Sequence, residues 1–200
     1  MENLFVIDST TNEGTSKSIF INSEADFIQQ GKITKLELSE DNKFYMVNFT
    51  NKAGQSLKYD KRYYLPKDKS EYADEEKYKK AVQIFLSNMA NLGRKFKGED
   101  YKVEGSSALD VALKVISAVK PLLNKEIFAF FELEKKDKGI FPNLGSFSPF
   151  GNIKEELMVK INTKQKELLE EKRNYKTSPD SDGTAVSFNE TPKPTDDLPF

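Results

Sequence analysis

Between Lys32 and Leu65 the chain carries three runs of strand character separated by gaps of a few residues. Lys32–Leu38 alternates imperfectly, Lys43–Phe49 is dense in aromatic and β-branched side chains, and Gln55–Leu65 alternates well. Gaps this short join antiparallel neighbours, so the runs are expected to form a meander with turns at Asn42 and at Asn51-Lys52-Ala53-Gly54. Pro66 stops the third run, because proline has no N–H to give to a ladder. Within Gln55–Leu65, the expected core face is Leu57, Tyr59, Tyr63 and Leu65, opposite Lys58, Arg62 and Tyr64. In Lys43–Phe49 the alternation selects no face, since Phe44/Met46 and Tyr45/Val47/Phe49 are both apolar.

The period then changes from 2 to 3.6. Asp74 is placed to cap a helix whose first turn holds Glu75 and Glu76. Tyr78, Ala81, Val82, Phe85, Leu86, Met89 and Leu92 form one stripe, and Gly93-Arg94-Lys95 is the expected stop. A second helix is expected over Ser107–Val119, ended by Pro121. Strand character returns at Glu126–Glu134, where Ile127, Ala129, Phe131 and Leu133 share one face and Phe128 and Phe130 the other. Lys135–Gly139 reads as a turn and Ile140-Phe141-Pro142 as a weaker edge strand. A third helix is expected from Asn152, capped with Glu155 and apolar at Ile153, Leu157, Ile161 and Leu168. Residues 8–18 read as loop, and order is expected to fail from about Tyr175, which divides the chain into a body, 1–174, and a tail, 175–200.

Three meander strands, two helices and a returning hairpin fit an α+β chain that is mainly β. The expected arrangement is an OB-like five-stranded barrel with two helices between strands three and four, a C-terminal helix and a disordered acidic tail. An open antiparallel sheet with helices is the alternative.

Composition removes much of the chemistry. Among 200 residues there is no histidine, cysteine or tryptophan, so zinc fingers, thiolate nucleophiles and histidine general bases are excluded. No disulfide can form, the longest apolar run is Ile127–Phe131, and Met1-Glu2-Asn3 has no basic character. These features point to a soluble cytoplasmic protein without membrane association. Charge is divided unevenly: two basic and five acidic residues make 176–200 net −3 and leave 1–175 at +2.

The chain ends in Asp196-Asp197-Leu198-Pro199-Phe200, behind a Pro/Ser/Thr-rich acidic stretch. This ending resembles the C-terminal tip of bacterial single-stranded DNA-binding proteins, where acidic residues precede an aliphatic residue, Pro and a terminal Phe. The resemblance implies an OB-like body that holds single-stranded DNA and a tip that recruits replication, repair or recombination enzymes. The absence of Trp, the short tail without a Gly/Gln-rich linker and the paired helices are departures. Under the resemblance they point to a divergent member, as phage or mobile-element versions often look, expected in the cytoplasm of a bacterial cell, and they put the family's tetramer in question while leaving a homo-oligomer open.

A non-specific single-strand binder needs ring faces for bases and cations for phosphates. The candidates are Lys35, Lys43, Tyr45, Lys58, Lys61, Arg62 and Tyr64 in the meander, Phe128 and Phe130 in the returning strand, and Lys136, Phe141 and Phe147 around the last hairpin. The expected function is a binding protein, not an enzyme, with no cofactor and no resident metal. Three alternatives remain open: a recombination mediator or annealing protein with the same tail, a metal-dependent nuclease using Glu37, Glu40 and Asp41, and a scaffold that binds protein only.

Overall fold

A computed structural model describes residues 18–137 and 139–177. All of the loop expected at 8–18 except Ser18, which bridges Ser56, lies outside the described residues, as do the tail beyond Thr177 and the Asp196–Phe200 tip. The first strand, β1 (Ile28–Leu38), is eleven residues long and serves two partners. Its start pairs with β4 (Ile127–Lys136) through Ile28↔Phe130 to Gly31↔Ile127, and the rest pairs with β2 (Phe44–Asn51). Gly31 belongs to both ladders, and a Cβ there would stand 2.1 Å from the Thr50 carbonyl oxygen. Only glycine lets the strands approach so closely. The β1–β2 turn uses Asn42 at φ 56, with the Ser39 hydroxyl accepting from the backbone N–H groups of Lys43 and Phe44.

The third run is shorter than its alternation suggests: β3 is Lys61–Tyr64, paired with Val47–Phe44. Asp60 is the reason. Its carboxylate accepts from Lys35 Nζ and Asn48 Nδ2, both at 2.7 Å, drawing the chain off the ladder. Tyr59, expected in the core, is consequently 74% exposed, whereas Leu57, Tyr63 and Leu65 are buried as the pattern requires.

Asp74 caps α1 (Glu75–Lys97), accepting from the Lys77 N–H at 2.7 Å. The helix passes through the expected stop at Gly93-Arg94-Lys95 because Gly93 is a packing residue, where a Cβ would meet the Tyr101 ring at 2.5 Å. It ends instead at Gly98, φ 113. Leu86, placed by period in the buried stripe, is exposed. Ser107 caps α2 (Ala108–Val119), which buries Val111, Ala112, Val115, Ile116 and Val119 against α1 and β1. Pro121 lies in the short 3-10 turn that follows.

After β4 come β5 (Gly139–Leu144) and a two-residue strand, β6 (Phe150–Gly151), which the sequence pattern did not reveal. Both pair with β4, five loop residues apart. The expected third helix is two: α3 (Glu155–Met158) and α4 (Thr163–Thr177). Asn162 divides them by accepting the Gln165 N–H through its side chain, and Asn152 caps neither. The helical backbone of α4 runs slightly past the body–tail boundary expected at 174/175.

The result is a mixed α+β fold with a six-stranded antiparallel sheet in the order β3-β2-β1-β4-β5, β6 lying on β4 beside β5. The sheet does not close into a barrel, contrary to expectation. No ladder joins β3 to β5 among the described residues. Four-residue β3 offers little edge, and Pro142 in β5 has no N–H to offer a further ladder. Side chains span the seam instead: the Tyr63 hydroxyl donates to the Gly145 carbonyl at 2.6 Å, and Lys61 Nζ reaches Glu134 at 3.4 Å and Ser146 Oγ at 3.3 Å. No helix among the described residues is long and apolar enough to cross a membrane.

Candidate nucleic-acid interface

Pairing decides which side of β2 is wet. Tyr45 faces Tyr63 across the ladder, and the rings stack at 5.0 Å with 12° between planes. Val47 and Phe49 follow on the same buried side, with Phe49 edge-on to Phe131 at 5.6 Å. Phe44, Met46 and Asn48 therefore lie on the outer side with Arg62 and Tyr64 of β3. Tyr45, expected to contact DNA, is 2% exposed, and burial raises its phenol pKa far above the ordinary value. Its sequence neighbour Phe44 takes the outer place.

Phe44, Arg62 and Tyr64 form one cluster. The Arg62 guanidinium lies 5.0 Å from the Phe44 ring centroid, the Tyr64 ring stands 5.5 Å away at 59°, and Tyr64 is 66% exposed. A cation held against one ring beside a second, solvent-facing ring offers bases a stacking surface and phosphates a charge. Lys35 lies on the same outer side, but its ammonium is engaged by Asp60, whose hydrogen bond raises its pKa. Burial alone would raise the Asp60 carboxyl. The bonds from Lys35 and Asn48 outweigh it and hold Asp60 below the usual carboxylate range.

The remaining candidates scatter. Lys43 is exposed at the β1–β2 turn, 3.3 Å from Asp41, and exposed Lys58 leans over Tyr59 at 5.3 Å. Lys61 is turned into the seam, its side chain only 11% exposed. Lys136 and Phe141 are exposed on the β4–β5 hairpin, flanking Glu134, which Lys136 approaches at 3.6 Å. Burial raises the Glu134 carboxyl, but bonds from Asn143 and Lys61 bring it below its ordinary value. Phe147 is exposed on the β5–β6 loop.

Phe128 and Phe130 do not form an open pair. Phe130 is 3% exposed and stacks on Phe27 at 6.4 Å, while Phe128 is half-buried against the core. The returning chain covers this face: Gly145 lies so close that a Cβ would be 2.9 Å from the Phe130 ring. Phe130 is thus removed from the set of base-stacking candidates. Glu37, Glu40 and Asp41 do not assemble a metal site, and among the described residues no three acidic side chains do. The Asp41 carboxyl is held low chiefly by the Ser39 hydroxyl, which donates to it at 2.7 Å.

Between β3 and α1 runs a groove of about 300 Å³, lined among others by Lys61, Arg62, Tyr64, Ile84, Asn88 and Ser146. Arg62 and Tyr64 of the aromatic cluster line it, as does Ser146 of the β5–β6 loop. No protein-family profile matches this sequence, and no curated protein is significantly similar to it.

Proposed function

We propose that this protein binds single-stranded DNA without sequence preference, acting in replication, recombination or repair, and recruits partner enzymes through Asp196–Phe200. The observation that carries the proposal is the solvent-facing Phe44–Arg62–Tyr64 cluster on β2 and β3. The order β3-β2-β1-β4-β5, with two helices between β3 and β4, fits an OB-like barrel opened at one seam. OB folds hold oligonucleotides on the face of their second and third strands. Tyr64 offers a π-face to any base, which accounts for binding without base preference. A body of net charge +2 releases few counterions, so binding should depend only shallowly on salt.

The test is a titration of the full chain into labelled oligo-dT, with duplex of equal length as control. Strong preference for the single strand supports the proposal, and equal or no binding sinks it. The tip is tested separately by deleting Leu198–Phe200. Single-strand affinity should stay equal or rise slightly, while association with replication or repair enzymes is lost. The lost contact includes the Phe200 side chain, worth about 1.5–3 kcal/mol when buried.

A further inference from the structure

Phe130 of β4 faces five residues, Gly145–Pro149, where its neighbours Phe131 and Ala129 face Leu144 and Phe150. Phe130 clamps both ends of this bulge: its N–H donates to the Pro149 carbonyl at 2.8 Å, and its carbonyl accepts the Gly145 N–H at 2.9 Å. Other elements brace the middle. Glu132 accepts the Ser146 N–H at 3.1 Å, buried Asn88 of α1 donates to the Ser146 carbonyl at 3.1 Å and accepts the Ser148 N–H at 2.6 Å, and Lys160 Nζ donates to the Phe147 carbonyl at 3.2 Å. Ser148 is held at φ 42, a left-handed conformation that costs a non-glycine residue energy.

Such bracing would suit a loop pinned to the core by its aromatic ring, yet Phe147 is 48% exposed, with Lys160 Nζ 5.4 Å from its centroid. The loop's fixed backbone thus presents a ring to solvent, and the half-buried Lys160 ammonium, which follows α3, lies against it, a ring–cation pairing like that of Phe44 and Arg62. The groove between β3 and α1 is lined by Arg62 and Tyr64 of the first cluster and by Ser146, the residue before Phe147.

Resting on the single-strand-binding reading, we propose that Phe147 with Lys160 is a second base-stacking station, and that the strand reaches it from the Phe44–Arg62–Tyr64 cluster along the β3–α1 groove. The inserted helix α1 is then a wall of the DNA path, and Asn88 a positioning residue that fixes the loop. The site would engage longer oligonucleotides and leave the shortest to the first cluster.

The test is an oligo-dT series from about 4 to about 16 nucleotides, the span of site sizes for one OB-sized body. Phe147→Ala should leave the shortest oligonucleotides unaffected and weaken the longest by roughly 5- to 100-fold, the loss of one stacked base. Tyr64→Ala should weaken every length. Because the chain has no tryptophan, Phe147→Trp installs a single reporter whose fluorescence long, but not short, oligonucleotides should quench. Unchanged affinity of Phe147→Ala at all lengths, with no quenching of Phe147→Trp, overturns the second station, and an equal loss at every length overturns the two-station path. If Tyr64→Ala still weakens binding in either case, the single-strand reading survives. Absence of DNA binding by the unaltered chain would remove that reading itself.

Discussion

In β2, Phe44 and Tyr45 are sequence neighbours; one lies outside beside Arg62 and the other is buried against Tyr63. In β4, Phe130 and Phe131 are neighbours too, and both are buried. The difference lies in position. β4 has β1 on one side and β5 and β6 on the other, and α3 and α4 pack on it, so both faces are covered. The β2–β3 pair lies at the end of the sheet, and after β3 the chain departs through Pro66 toward α1. Aromatic side chains on both alternations leave one set of rings facing outward on a terminal pair of strands and build a double-sided core on a central one.

The largest effect is expected from Phe130→Ala. If Phe130 is core, unfolding should become easier by about 3–5 kcal/mol, read from urea or thermal melts. Unchanged stability would return Phe130 to the candidate interface. Gly31→Ala strikes the residue that joins the two regions, placing a methyl group against the Thr50 and Asn51 backbone. Overpacking of this kind should cost about 1–3 kcal/mol, and a neutral outcome would mean that β1 can slide between its two partners. Tyr64→Ala should behave oppositely to Phe130→Ala: stability within about 0.5 kcal/mol of the parent, but single-strand affinity reduced by about 1–3 kcal/mol.

The smallest expected effect concerns Asp60. Its carboxyl is lowered in the folded state, so its contribution to stability is present above the unfolded value near pH ~4 and is lost as pH falls through the lower folded value. Between about pH 5 and about pH 2 the urea midpoint of the parent should fall more than that of Asp60→Asn. At neutral pH the same variant releases Lys35 from Asp60 and leaves it Glu37 at 4.0 Å, and single-strand affinity should rise slightly. Parallel pH profiles, with no change in affinity, would show that the Lys35–Asp60 pair matters to neither region.

Much of the candidate site was legible because Arg62 and Tyr64 follow a clean alternation ended by Pro66, and both are exposed where that alternation puts them. Phe44 was not singled out because β2 is apolar on both alternations. The choice between Phe44 and Tyr45 rests on partners far along the chain, Tyr63 and, through Phe49, Phe131. Lys35 and Lys61 looked like free cations and are held by Asp60 and Glu134, pairings that no local spacing encodes.

Several features are encoded locally. The Asp74 and Ser107 caps, the short turn at Asn42 and the stop at Pro66 depend on groups within a turn or a few residues, so the amino acids alone specify them. Contacts between distant segments make Gly93 pack on Tyr101 rather than end α1, make Phe150 and Gly151 a strand too short to show a period, and let side chains span the seam between β3 and β5. Each of these outcomes depends on burial by segments distant in sequence. Whether an apolar residue becomes core or surface is settled by what comes to lie over it, and for β4 that cover is Gly145, β6 and the helices that follow.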